Sequence, residues 1–143
     1  MMYKEVNFGR VFIGRFEFGK DLFDSIKEFC KQKNISLGVF SIIGAVKKAK
    51  CGYYDQDSKK YVVCVNIEKK LEITSCIGNI SMKDGEIFPH AHITWADLEG
   101  NVYGGHLMNG TEIFAAEFYI QELKGAQLKR QMDIETGLPL WVA

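Results

Sequence analysis

The sequence predicts an α+β fold: a mostly antiparallel, strongly curved β-sheet packed against one main helix. Three observations carry that reading. From Ile35 onward the chain is strand-like almost throughout, with short apolar-rich segments separated by turn residues. A single stretch, residues 21–33, has helical spacing instead. The breaks Asp84-Gly85, Glu99-Gly100-Asn101 and Asn109-Gly110 all have the chemistry of tight hairpins.

Taken in order, "VFIGRFEF" places Phe12, Phe16 and Phe18 on one face and Arg15 and Glu17 on the other, which is a strand. "GKDLFDSIKEFCKQKN" follows, and its Leu22, Phe23, Ile26, Phe29 and Cys30 form one apolar stripe on a helix. Asp21 and Asp24 near its start and Lys31 and Lys33 near its end suit the helix dipole. Strands are then expected from "LGVFSII", "KAKCGYYD", "KYVVCVNI", "LEITSCIGNISM", "EIFPHAHITWAD", "VYGGHL" and "EIFAAEFYIQEL". The tail "LKRQMDIETGLPLWV" is irregular but ends in apolar residues, so it is expected to pack against something. No repeat, linker or low-complexity run interrupts the chain, and residues 1–143 read as a single domain.

Composition narrows the function classes. At 47% hydrophobic and 25% charged residues the chain is neither disordered nor membrane-like. Its longest apolar run, "LGVFSIIGAV", is about half of the ~18–20 residues a spanning helix needs, so no membrane partner is expected. The start "MMYKEVNFGR" lacks an apolar signal core. Cys30, Cys51, Cys64 and Cys76 form no C-x-x-C pair, and reduced, mostly buried thiols in a cytoplasmic protein are expected. Eighteen basic residues balance eighteen acidic ones. That balance argues against strong unaided binding to nucleic acid, whose affinity comes largely from neutralising phosphates.

All three histidines fall within "PHAHITWADLEGNVYGGH". His90 and His92, two apart on a strand, share a face. His106 joins them only if the turn has the right length. A three-residue loop, Leu98-Glu99-Gly100, with Gly100 in the left-handed position, pairs Asp97 with Asn101 and sets His92 opposite His106. A two-residue Glu99-Gly100 turn sends His106 to the other face. The glycine favours the longer loop. Three converging neutral imidazoles then suit a divalent metal, zinc above all, with one coordination position open. The competing reading is a set of polar side chains on a solvated face. Gly104 and Gly105 leave room beside such a centre or admit a close backbone approach. Glu117 is the nearest candidate carboxylate, its facing dependent on the Asn109-Gly110 turn. Tyr53, Tyr54, Trp95 and Tyr103 are candidate pocket walls.

The run "GNISMKDGEIFPHAHITWADLEGNVYGGHLMNGTEIFAAEFYIQEL", with "LKRQMDIETGLPLW" after it, resembles the plants and prokaryotes conserved (PPC) domain. "FGKDLFDSIKEFCKQKNI" and "GVFSIIGAVKKAKCGYYD" resemble that family's helix and the glycine-marked strands after it. The resemblance implies a sheet of about seven strands, assembly as a homotrimer, and a metal site at His90, His92 and His106. It also implies a DNA-binding, transcription-associated role, since the plant members follow an AT-hook. It brings no settled enzymatic activity. No Arg-Gly-Arg-Pro segment or basic arm is present in this sequence, and the plant DNA contact has no counterpart.

Three functions remain open on the sequence. One is a regulatory module that meets DNA or a regulatory protein, supported locally by "KKAK" at 47–50, Lys59-Lys60, Lys69-Lys70 and Lys129-Arg130. Another is a metal-dependent small-molecule-binding protein or enzyme, for which Glu117 is the one general base on offer. The third is an assembly domain, because "EIFAAEFYIQEL" carries apolar residues on both sides.

Overall fold

The computed structural model describes residues 1–142, so only the last residue of the expected domain lies outside it. Its ten elements are β1 (Asn7–Phe16), α1 (Leu22–Lys33), β2 (Gly38–Asp55), β3 (Lys60–Ile67), β4 (Leu71–Lys83), β5 (Glu86–Ala96), β6 (Val102–Leu107), β7 (Glu112–Lys124), β8 (Lys129–Met132) and β9 (Pro139–Val142). The sheet thus has nine strands rather than about seven. "LGVFSII" and "KAKCGYYD" fuse into the long β2, while the tail supplies β8 and β9. Those last two are four residues each, too short to show a period in sequence. No helix among the described residues is long and apolar enough to cross a membrane.

The helix forms where its stripe and caps place it. Asp21 is the N-cap and accepts a hydrogen bond from the Asp24 amide at 3.0 Å. At the other end Asn34 takes a left-handed conformation, and the Ile35 amide donates to the Cys30 carbonyl at 2.8 Å. Leu22, Ile26 and Cys30 are fully buried, and Phe23 and Phe29 pack on the core edge. Phe18 departs from expectation. The strand stops at Phe16, and Gly19 turns the chain toward the helix with its amide bonded to the Ile113 carbonyl, leaving Phe18 exposed.

The sheet curves because it closes on itself. β2 pairs with β6, β6 with β5, β5 with β4, and β4 again with β2. Inside the curve lie Ile42, Ile80, Ile93, Trp95, Leu107, Ile113 and Ile120, all essentially inaccessible, with α1 against them. Two of the three expected hairpins are present. Asp84 and Gly85 both have positive φ and join Lys83 to its partner Glu86. The Asn109-Gly110 break does not reverse the chain. Leu107 pairs with Cys51 and Glu112 with Lys48, so β6 and β7 both run antiparallel to β2 in one direction. The two residues instead tie down the helix start: the Gly110 amide donates to Asp21 Oδ2 at 2.6 Å and Asn109 Nδ2 to Asp24 Oδ1 at 2.7 Å.

Candidate metal centre

The β5–β6 hairpin has the longer loop. Gly100 lies at φ 81°, the Asp97 amide donates to the Asn101 carbonyl, and Asp97 Oδ1 accepts from the amides of Glu99 and Asn101 at 3.1 and 2.8 Å. Lys69 Nζ (2.6 Å), Asn101 Nδ2 and Tyr103 OH donate to the other carboxylate oxygen. Lys69 leads these contacts in holding Asp97 well below the usual carboxylate range. A pinned turn fixes the register, and His92 pairs directly with His106.

All three imidazoles therefore project from the outer face of the sheet. Their ring centroids lie 5.0–5.8 Å apart, and one nitrogen of each falls within 4.8 Å of the others. Nitrogens of a tetrahedral zinc site with bonds of about 2.0 Å lie roughly 3.3 Å apart, so only a small ring movement separates this geometry from coordination. The chemistry of the donor set also fits. Burial first, then His106, Arg130 and His92, pushes His90 down to about 4; burial, His92 and Arg130 do the same for His106. Both rings are neutral near pH 7 and offer lone pairs. His106 Nδ1 is buried and finds no hydrogen-bond partner among the described residues, as a free ligand atom would.

The sign of these shifts gives a pH prediction. With folded-state values below the ordinary 6.5, the unfolded chain binds protons first as the pH falls. The stability carried by the two neutral rings is complete above about 6.5 and is lost progressively down to about 4. The urea midpoint of metal-stripped protein should drop across that window in the wild type and markedly less in His90→Gln/His106→Gln. Equal slopes for the two proteins would contradict buried neutral imidazoles.

The centre opens into a hollow of about 740 Å³. Tyr53, Tyr54 and Gly105 border it as the sequence suggested, and so do Tyr61, Phe88 and Arg130, which sequence reasoning did not select. Tyr61 stacks on His106 at 4.6 Å. Gly104 is absent from the lining. A Cβ there would meet the Ile93 carbonyl at 2.6 Å, so its role is close approach of β6 to β5. Trp95 is in the core and Tyr103 serves Asp97. Glu117 is not part of the centre. It pairs with Arg15 and Ile43 and borders another hollow, three strand spacings or about 14 Å of sheet from His92. The reason is the unreversed chain at Asn109-Gly110, which carries β7 on along β2 past β6 rather than back beside it. Arg130 stood in the sequence as half of a surface-like Lys-Arg pair. Nothing in "KRQM" distinguishes it, since only the docking of β8 alongside β4 buries it.

A curved antiparallel sheet, one helix and three imidazoles converging from a hairpin define a small domain with a candidate metal site on its outer face. The chain belongs to the Plants and Prokaryotes Conserved (PCC) domain family, whose match spans residues 3–124. A metal-containing protein from Archaeoglobus fulgidus is 43% identical, each chain covering 100% of the other, with a TM-score of 0.94. A plant- and prokaryote-conserved protein from Pyrococcus horikoshii is 40% identical over 100% of this chain and 98% of its own, with a TM-score of 0.92. The bifunctional protein GlmU of Synechococcus sp. (strain JA-3-3Ab) is 31% identical over 83% of this chain, which spans 18% of that protein's length.

Proposed function

We propose that this protein is a homotrimeric module that binds a divalent metal, zinc by preference, at His90, His92 and His106 and takes a small molecule in the hollow beside it. The observation that carries the reading is the convergence of three imidazoles, two of them desolvated and neutral, at the wall of a hollow that also presents Tyr53, Tyr54, Tyr61 and Phe88 and the basic side chains of Lys59, Lys83 and Arg130. The likeness to a metal-containing protein supports it. A bound zinc would polarise a ligand or lower the pKa of a bound water. The chain's own part is to hold the three rings on a paired hairpin and to wall the site with Tyr61 and Phe88. Metal analysis of untagged protein purified without chelator should give one zinc per chain. Protein that stays metal-free after exposure to zinc, cobalt and nickel would refute the reading.

The trimer rests on a second observation. One cross-strand row runs Ile13, Tyr119, Ser41, Ile77, His92, His106 across six strands. Ile13 and Ile77 are 85% and 60% exposed, and Val11, Val39 and Ile43 beside them are exposed as well. An apolar patch of this extent calls for a covering surface, and a second and third copy supply it. Light scattering should give three times 16.2 kDa, with Ile13→Asp/Ile43→Asp dissociating the assembly. A monomer at micromolar concentration would contradict the assignment.

A DNA-associated role follows from the family resemblance, and the charge balance sets its ceiling. With net charge zero, binding to duplex DNA should be weak, non-specific and abolished by moderate salt. Nanomolar, sequence-selective retention by the isolated protein at physiological salt would overturn that expectation.

A further inference from the structure

We infer that the hollow takes a small carboxylate with an apolar or aromatic body, its charged group held between Arg130 and the metal centre. This rests on the metal reading above and goes beyond it by naming the ligand's chemistry. The first ground is an unbalanced charge. Arg130 is 9% exposed, yet no carboxylate pairs with it among the described residues. Its partners are all neutral: Nε donates to Ser81 Oγ, Nη1 to the Pro139 carbonyl and Nη2 to Asn79 Oδ1, each at 2.9 Å. A buried guanidinium ordinarily has an anionic partner.

The second ground is the lining. Lys59, Lys83, Arg130 and the three histidines border the hollow, and no Asp or Glu does among the described residues. A divalent ion on the histidines would add two more positive charges to a site with no internal counter-charge. The cavity is built for an anion that arrives from outside.

The third ground is the geometry of the donors. A guanidinium has five N–H groups. Three are used by Ser81, Pro139 and Asn79, and a further Nη2 contact reaches His90 Nδ1 at a long 3.5 Å. One Nη1 hydrogen is left over, and the weakly engaged Nη2 hydrogen already points at the metal centre. At Arg130 that suits one or two carboxylate oxygens. Around the charge the walls are apolar: Phe88, which stacks under the guanidinium at 5.7 Å, with Tyr61, Met132 and Leu140. An aromatic or aliphatic body fits there and a strongly hydrated one does not.

The test uses the full chain loaded with cobalt in place of zinc, with cobalt content measured first. The visible cobalt spectrum and calorimetry are then followed on addition of benzoate, acetate, benzamide and inorganic phosphate. Benzoate should perturb the spectrum and bind at least about tenfold more tightly than acetate, phosphate or benzamide. Arg130→Gln, which retains a neutral side chain for the Asn79 and Pro139 contacts, should keep one cobalt per chain and weaken benzoate by about tenfold or more. Because Arg130 also ties the tail to β4, the wild-type comparison of benzoate with its neutral amide stands independently of how that variant folds. Protein that takes up no cobalt overturns the metal reading and this proposal with it. Protein with cobalt bound but no response to benzoate overturns this proposal alone. Equal binding of benzamide removes the charge argument, and tighter binding of phosphate removes the carboxylate.

Discussion

Replacing His90, His92 and His106 together with alanine is expected to abolish metal uptake and leave a folded assembly. Metal holds a fold together where the chain is too small for its own core, through four protein ligands that commonly include thiolates. Neither condition applies. Cys30, Cys51 and Cys76 are buried, with burial the leading cause that pushes each thiol up to about 12, and the three-histidine cluster contains no cysteine. The hairpin that carries the ligands is held by its own backbone ladder and by the contacts of Asp97. Its inward residues, Ala91, Ile93 and Trp95, sit in the core whatever occupies the outer face. Metal content should fall from one per chain to none, with the melting temperature lowered only modestly. A triple variant or chelated protein that unfolds would make the centre structural, and the open coordination position would have to be abandoned.

Trp95→Ala should be the most damaging single truncation in the same strand. Trp95 is fully buried and among the largest side chains in the core, one residue from Thr94 on the outer face. Its indole nitrogen has no hydrogen-bond partner among the described residues, so the loss is one of packing and cavity formation alone. A large-to-small change of that kind costs about 3–5 kcal/mol, a large part of a typical domain's stability. Urea unfolding measures it directly. A loss below about 1 kcal/mol would mean that β5 is not anchored by its inward face.

The features legible in the sequence were those set by neighbours in the chain. The helix over residues 21–33 follows from one apolar stripe and from Asp21 acting on an amide three residues away. The meeting of His92 with His106 follows from one glycine that can take φ 81°. What escaped was set by contacts distant in the chain. Asn109-Gly110 has hairpin chemistry, but its polar groups answer to Asp21 and Asp24, more than eighty residues earlier. Glu117, whose facing hung on that turn, is carried away from the histidines with it. Arg130 acquires its position from Asn79 and Ser81, about fifty residues before it, and local sequence carries no trace of that.

The pairing of β1 with β7 joins Asn7 to Lys124. In a chain made at about 5–20 residues per second, β1 is synthesised on the order of ten seconds before the strand that receives it. Closing so long a loop is slow in a free chain too, since nonlocal strand pairing must offset its entropy before it stabilises anything. β1 therefore waits unpaired, with Phe12 and Phe16 short of their partners on β7, while β4, β5 and β6 can pair locally as each emerges and α1 can settle on β5. β1 is thus placed only after strands made long after it, and the metal-bearing hairpin can be assembled before the domain around it is complete.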